Sequence, residues 1–317
     1  MPTFNSIIDR DNDAAALIGE DEVNQIFQDA IQASAFLSMM RKLPNMSSKK
    51  QKLRVLSALP TAYFVDGDTG LKQTTEQKWA NKYVTAEEIA VIVPIPEAVL
   101  DDAEYDIWGE VRPRIGEAIG NVVDKAIAFG TNAPAAWPDD LLTAATAASN
   151  VVTLGTGTDL YEDLLGENGT IAALEADGFM ANGHVADLTM RAKLRGLRDA
   201  NGVPLFQRSL QSKETYELDG SPIAFPRNGA MDATKALLIS GDFNELVYSI
   251  RQDLTFKILT EAVIQDSDGT IIYNLAQQDM VALRAVIRLG WQCPNPINRV
   301  QETAASRFPV SILKPAA

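Results

Sequence analysis

Residues 62–96 read AYFVDGDTGLKQTTEQKWANKYVTAEEIAVIVPIP, and this stretch decides the fold. Strand-like runs, Leu53–Val65 and Gln77–Ile95, flank a polar tip with two turn signals, Asp66-Gly67 and Thr69-Gly70. Each run is about ten residues or more, so the two-stranded arm reaches on the order of 30–40 Å. An isolated hairpin is marginal in water. The arm therefore needs another surface, and a neighbouring copy of the same chain is the expected one. Its candidate contact residues are Lys49, Lys50, Lys52, Arg54, Asp66, Gly67, Asp68, Lys72, Lys78, Trp79 and Lys82.

Working outward, Ile89, Val91, Val93 and Ile95 share one face of the returning strand, and Ala90 and Ile92 make the other face apolar too. That pattern predicts a strand buried on both faces, so the arm's base enters the core. From Glu97 to Thr131 the period becomes helical, with Ile107, Val111, Ile115, Ile119, Val122, Ala126 and Phe129 recurring every three or four residues. Gly109 and Pro113 predict a kink or boundary near its start. Acids crowd its N-terminal end (Asp101, Asp102, Glu104, Asp106, Glu110), which suits the helix dipole as well as an ordinary solvated face.

Upstream, Val23, Ile26, Phe27, Ala30, Ile31, Ser34 and Leu37 predict an amphipathic helix from about Asp21 to Arg41. Arg41, Lys42, Lys49, Lys50, Lys52 and Arg54 then fall in a stretch with no acid between Asp29 and Asp66. This is a solvated linker or a contact for something acidic. Downstream, Asn132–Gly157 is rich in Ala, Thr, Gly and Pro and reads as a crossing loop. A helix, a strand near Gly178–Ala186 and a second helix follow over Asp159–Asn201. Asp268-Gly269 between Leu259–Ile264 and Thr270–Tyr273 marks a hairpin. Met280–Trp291 reads as a long strand with Arg284 and Arg288 on one face.

The 317 residues are ordinary for a globular protein, with 46% hydrophobic and 22% charged residues. No apolar run approaches the roughly eighteen residues of a membrane span, and Met1–Arg10 is not a secretory signal. A single cysteine, Cys293, excludes an intramolecular disulfide, fits a reducing cytoplasm and is expected to be a small buried residue. The net charge of −14 argues against a free-standing nucleic-acid binder.

Catalytic parts are missing. His184 is the only histidine and is expected to be a polar tip at a strand end. No nucleophile elbow or phosphate loop is present, and Gly155-Thr156-Gly157 reads as a flexible turn. Asp9, Asp11, Asp13 and Glu20 match four positions of a calcium loop, but Ala14 stands where the sharp turn needs glycine, so an acidic arm is the preferred reading. No catalytic residue, cofactor or metal is assigned.

The Trp-containing arm is followed in order by Val93-Pro94-Ile95-Pro96-Glu97, Leu100-Asp101-Asp102, and the helix closing on Ala128-Phe129-Gly130-Thr131. His184-Val185-Ala186-Asp187, Asp199-Ala200-Asn201-Gly202-Val203-Pro204-Leu205, Leu218-Asp219-Gly220-Ser221-Pro222-Ile223, Gly241-Asp242-Phe243, and Arg284 to Arg288 complete the series over roughly residues 50–310. In this order the patterns resemble the major capsid proteins of tailed bacteriophages, the Hong Kong 97-type fold.

The resemblance implies an α+β fold divided into an N-terminal arm (1–50), an extended loop and its base (51–95), a peripheral domain with a long spine helix (96–135 and 240–300) and an axial α/β domain (136–239 and 301–317). It also implies hexamers and pentamers in an icosahedral shell around double-stranded DNA. An acidic inner wall would keep the packaged DNA from sticking, without sequence-specific binding. A separate scaffolding protein is expected, because little precedes the arm, as is a portal, with a decoration protein as an optional further partner. The virion capsid would assemble in the host bacterial cytoplasm, with no membrane partner.

Some members of the family cross-link a loop lysine to a neighbour's asparagine. Lys72, Lys78 and Lys82 supply the residue type, but the remaining partners have no identifiable positions, and no cross-link is expected. An encapsulin-like nanocompartment shell is the first alternative. A soluble metal-dependent hydrolase or binding protein is the second, distinguishable by its small particle size.

Overall fold

The computed structural model describes residues 34–65, 70–102, 107–198 and 217–316. The predicted helix over 21–41 lies largely outside them. Its described end is a five-residue helix, Ala35–Met39, after which Arg41–Lys42 form a short strand, β1. The calcium-like residues, Asp66, Gly67 and Asp68 of the arm tip, and 199–205 lie outside the described residues.

Two sheets and one long helix organise the chain. The first sheet has the order β1-β10-β13-β4, with β4 at Glu87–Pro96, β10 at Val247–Leu259 and β13 at Met280–Gln292. β13 runs antiparallel to both of its long neighbours. Its odd positions from Val281 to Trp291 all enter the main core, whereas Arg284 and Arg288 point to the other face, as period-two alternation demands.

The helix Ile107–Phe129, about 34 Å long at 1.5 Å per residue, shares this core through Ile115, Ile119, Val123, Ala126 and Ile127. Val123, not the expected Val122, faces inward, and Val122 is exposed. The helix also passes through Pro113 without a break, so the expected boundary is absent. Proline there removes the hydrogen bond to the Gly109 carbonyl and sets its ring against that group, but Gly109 lies in the helix's first turn, so the helix runs on unbroken.

The second sheet has six strands in the order β5-β14-β9-β6-β8-β7, built from Val151–Thr153, Val310–Lys314, Leu238–Gly241, Gly183–Ala186, Ser221–Ala224 and Glu217–Leu218. Where one helix was expected before the strand near Gly178–Ala186, two short ones form, Leu160–Leu165 and Thr170–Ala176. The helix Met190–Gly196 follows that strand. The hairpin at Asp268-Gly269 is present as β11 (Val263–Gln265) and β12 (Ile271–Asn274), with Gly269 at φ +79°.

The arm differs from expectation in one important way. Its ladder joins β2 (Lys50–Ala58) only to β3 (Lys78–Thr85). At Ala86 the returning run breaks, and β4 continues in the other sheet, paired with β13. The sheet's outer face is left uncovered along β4, so Ile89, Val91, Val93 and Ile95 pack on the core while Ala90 and Ile92 stay exposed. The expectation of burial on both faces therefore holds only near Pro94 and Ile95.

Candidate assembly surface

The two faces of the arm's root differ in chemistry. Leu53 and Val84 turn toward the body and share a small cluster with Leu43, Met46, Ala86 and Val247. The opposite face carries Lys50, Lys52, Arg54 and Leu56 on β2, facing Thr85, Tyr83, Asn81 and Trp79 in register on β3. The three cations and both aromatic residues are exposed. Three basic side chains thus repeat at ~6.6 Å along one strand beside two open aromatic rings. Lys49 is already held by Glu87 at 3.0 Å, and Lys78 by Glu76 at 2.5 Å.

Beyond Ala58 the legs lose their backbone ladder. Thr61 N–H donates to Thr75 Oγ1 at 2.9 Å, and the Tyr63 hydroxyl donates to the Gln73 carbonyl at 3.1 Å. This distal part exposes Tyr63, Phe64, Val65 and Leu71, with Phe64 fully exposed and Leu71 at 86%. Lys72 is exposed there as well. So dense a run of open apolar side chains marks an interaction surface.

Lys82 differs from the other candidates. It is half-buried, and its Nζ donates to the Cys293 carbonyl at 2.9 Å. Burial pushes its pKa down, the nearby thiol works against that shift, and Arg307 adds to it. Lys82 therefore anchors the arm internally. Cys293 is buried, its thiol pushed up to about 12 by burial. Such a thiol is inert at neutral pH.

The open face of the first sheet is the second candidate surface. β13 places Arg284 between Lys257 of β10 and Ile92 of β4, and Arg288 between Gln252 and Glu88. Glu88 lies 3.4 Å from Arg288, whereas Lys257 and Arg284 have no acidic partner among the described residues. Like charges directly across a ladder repel, so this exposed pair favours an acidic visitor.

Three buried polar groups were not legible as such from sequence. Asp124, on the inner side of the long helix, accepts from Ser34 Oγ (2.5 Å), Ala35 N–H (3.0 Å) and Asn228 Nδ2 (3.1 Å). Burial raises its pKa against the pull of these bonds. It ties the first described residues to the helix.

His184 is not a strand-end tip. It is fully buried within β6, with Nδ1 2.8 Å from Ser240 Oγ and Nε2 3.1 Å from the Leu218 carbonyl. A carbonyl can only accept, so Nε2 carries the proton and Nδ1 accepts from the serine. Burial lowers its pKa. Arg307, the third group, is also buried and lowered by burial.

Among the described residues, no group of three or more His, Cys, Asp or Glu could hold a metal, and no helix is long and apolar enough to cross a membrane.

A curated relative, the major capsid protein of Staphylococcus phage 80alpha, is 28% identical over 269 residues, covering 84% of this chain and 78% of that protein. A solved structure from Microbacterium phage Oxtober96 is 36% identical with a TM-score of 0.78, covering 94% of this chain and 93% of the other. One from Mycobacterium phage Adephagia is 32% identical with a TM-score of 0.78, covering 95% of each. The model of the phage capsid family matches residues 14–296, and with the arm, long helix and two sheets in place, this chain belongs to that family.

Proposed function

We propose that this chain is the major capsid protein of a tailed phage, building an icosahedral shell of hexamers and pentamers around double-stranded DNA. The observation that carries the reading is the arm, whose distal apolar side chains have no covering surface among the described residues. Copies arranged head to tail in a ring give each arm a neighbour to lie on, because a heterologous contact closes when its rotation closes. The contact residues are Lys50, Lys52, Arg54, Lys72 and Trp79 on the arm. Arg284 and Lys257 on the next subunit's open sheet offer a basic surface for an acidic contact.

In this reading residues 1–50 are an N-terminal arm and 51–95 the extended loop. Residues 96–135 with 240–300 are the peripheral domain, and 136–239 with 301–317 the axial domain. A scaffolding protein, a portal and a decoration protein are the further partners, and assembly takes place in the host cytoplasm.

Sedimentation and electron microscopy of the full chain, alone and with a co-expressed scaffolding protein, test this. Uniform megadalton shells are expected with the scaffold, and capsomers or irregular particles without it. A monomer or small oligomer under both conditions overturns the proposal.

A further inference from the structure

The arm is braced far above its root. β13 ends at Gln292 and runs into Cys293-Pro294-Asn295-Pro296-Ile297-Asn298-Arg299, where two prolines flank Asn295 in a left-handed turn at φ +47°. This segment climbs the arm. Gln292 Nε2 donates to the Tyr83 carbonyl at 3.0 Å, and the Cys293 carbonyl accepts from Lys82 at 2.9 Å. Ile297 N–H donates to the Leu56 carbonyl at 3.1 Å, and Arg299 Nη2 to the Pro60 carbonyl at 2.7 Å. The first two ties hold β3. The others hold β2 and the leg beyond it, since Pro60 lies past the last ladder pair, Ala58 with Lys78.

The other side of the segment is locked into the six-stranded unit. Buried Arg307 donates from Nε to Asn295 Oδ1 at 3.0 Å and from Nη1 to the Gln301 carbonyl at 2.6 Å. Asn298 Nδ2 donates to the Asp177 carbonyl at 2.7 Å. The Asp177 carboxylate accepts from Asn150 Nδ2 at 2.6 Å and from Phe308 N–H at 2.9 Å, next to β5 and β14. A Cβ on Gly178 would come within 2.8 Å of Val300 Cβ and 3.0 Å of Asn298 Nδ2, so these two side chains pack on the Gly178 backbone as only glycine permits.

We infer that residues 292–301 form a strut that sets the bearing of the arm relative to the six-stranded unit, with Asn298 and Arg299 as positioning residues that thereby set the curvature of the assembly. A hairpin held only at its root would pivot about Ala86. Ties at Tyr83, Lys82, Leu56 and Pro60 remove that freedom, so the arm turns only if the strut turns with it. In a shell, the direction of each arm fixes where the next subunit sits. The inference rests on the reading that the arm joins subunit to subunit.

The test uses the full chain spin-labelled at Thr74→Cys on the arm and Glu167→Cys on the six-stranded unit, both exposed positions. Cys293 is buried and escapes the label. Pulsed electron-spin distance measurement should give a narrow distribution for the parent. The width should at least double in Arg299→Ala, which loses only an exposed tie and folds normally, and in Asn298→Ala. Without labels and with the scaffolding protein co-expressed, both variants should also assemble into particles with a broader range of diameters, while subunit melting stays within a few degrees of the parent. An unchanged distance width in both variants overturns the strut. A doubled width with uniform parent-like shells overturns its role in curvature. Failure of the unsubstituted chain to form any shell with the scaffolding protein present would instead sink the proposed function, and the distance widths would still decide whether the strut exists.

Discussion

Replacing Phe64 with serine separates assembly from folding. Phe64 is fully exposed and has no cover among the described residues, so the substitution removes no packing against them. Surface changes of this kind usually stay within about 0.5 kcal/mol, and the subunit should melt within ~1–2 °C of the parent. If a neighbouring copy buries the ring, the lost transfer energy is about 1.5–3 kcal/mol per contact. That weakens each association constant roughly ten- to 150-fold. A shell repeats the contact at every subunit, so the concentration needed for assembly should rise by at least about tenfold.

Circular dichroism melting beside light-scattering titration of assembly reads both effects. Ile95→Ala serves as the opposite control, because Ile95 is fully buried and its truncation should cost about 2–5 kcal/mol in the subunit itself. An unchanged assembly threshold for Phe64→Ser would refute the reasoning, since the ring would then be exposed in the particle too. A large drop in subunit melting would show that the distal arm folds onto its own chain.

Further outcomes follow from other sites. Changing Lys50, Lys52 and Arg54 together to Gln should weaken assembly at low salt and flatten its salt dependence, because exposed charge contacts are screened over ~8–10 Å; equal salt curves for parent and variant would place this face outside any contact. Mature particles boiled in detergent should run as one band at the 34.4 kDa chain mass, since Lys82 is engaged internally, whereas a ladder would show that Lys72, Lys78 or Lys82 had reacted. His184 has a depressed pKa in the folded state, so its contribution is complete above about pH 6.5 and is lost as pH falls from there toward the depressed value. Urea midpoints should fall across that window for the parent, by at most about 1.4 kcal/mol per pH unit for one proton, and this component should be absent in His184→Gln. Asp124 has the opposite sign. Its raised pKa keeps the folded state protonated longer, so stability should fall as pH rises from about 3.8 through the raised value, and Asp124→Asn should lack that fall in a urea series below neutral pH.

Local pattern by itself determined the elements that obey one period. Met280–Gln292 alternates cleanly because one face meets the core and the other stays open, so its arginines were placed correctly before any partner strand was known. The helix that closes on Phe129 and the hairpin at Asp268-Gly269 were legible for the same reason, each being specified by neighbours a few residues away.

What only the tertiary structure decided is which surface each pattern meets. Gln77–Ile95 reads as one strand, yet it divides at Ala86 between two sheets, because alternation reports side-chain polarity and not the identity of the pairing strand. Ala90 and Ile92 are apolar and still exposed, since among the described residues no second layer covers that face of the sheet at β4. Lys82, Asp124, His184 and Arg307 look from sequence like surface groups or strand ends. The first three are drawn inward by acceptors or donors distant in the chain, such as Cys293 for Lys82 and Ser240 for His184, whereas Arg307 is held by the nearby Asn295 and Gln301 once the loop before β14 has folded. Burying a polar group is tolerable only when such partners meet it, and a linear pattern carries no record of partners 56 to 211 residues away.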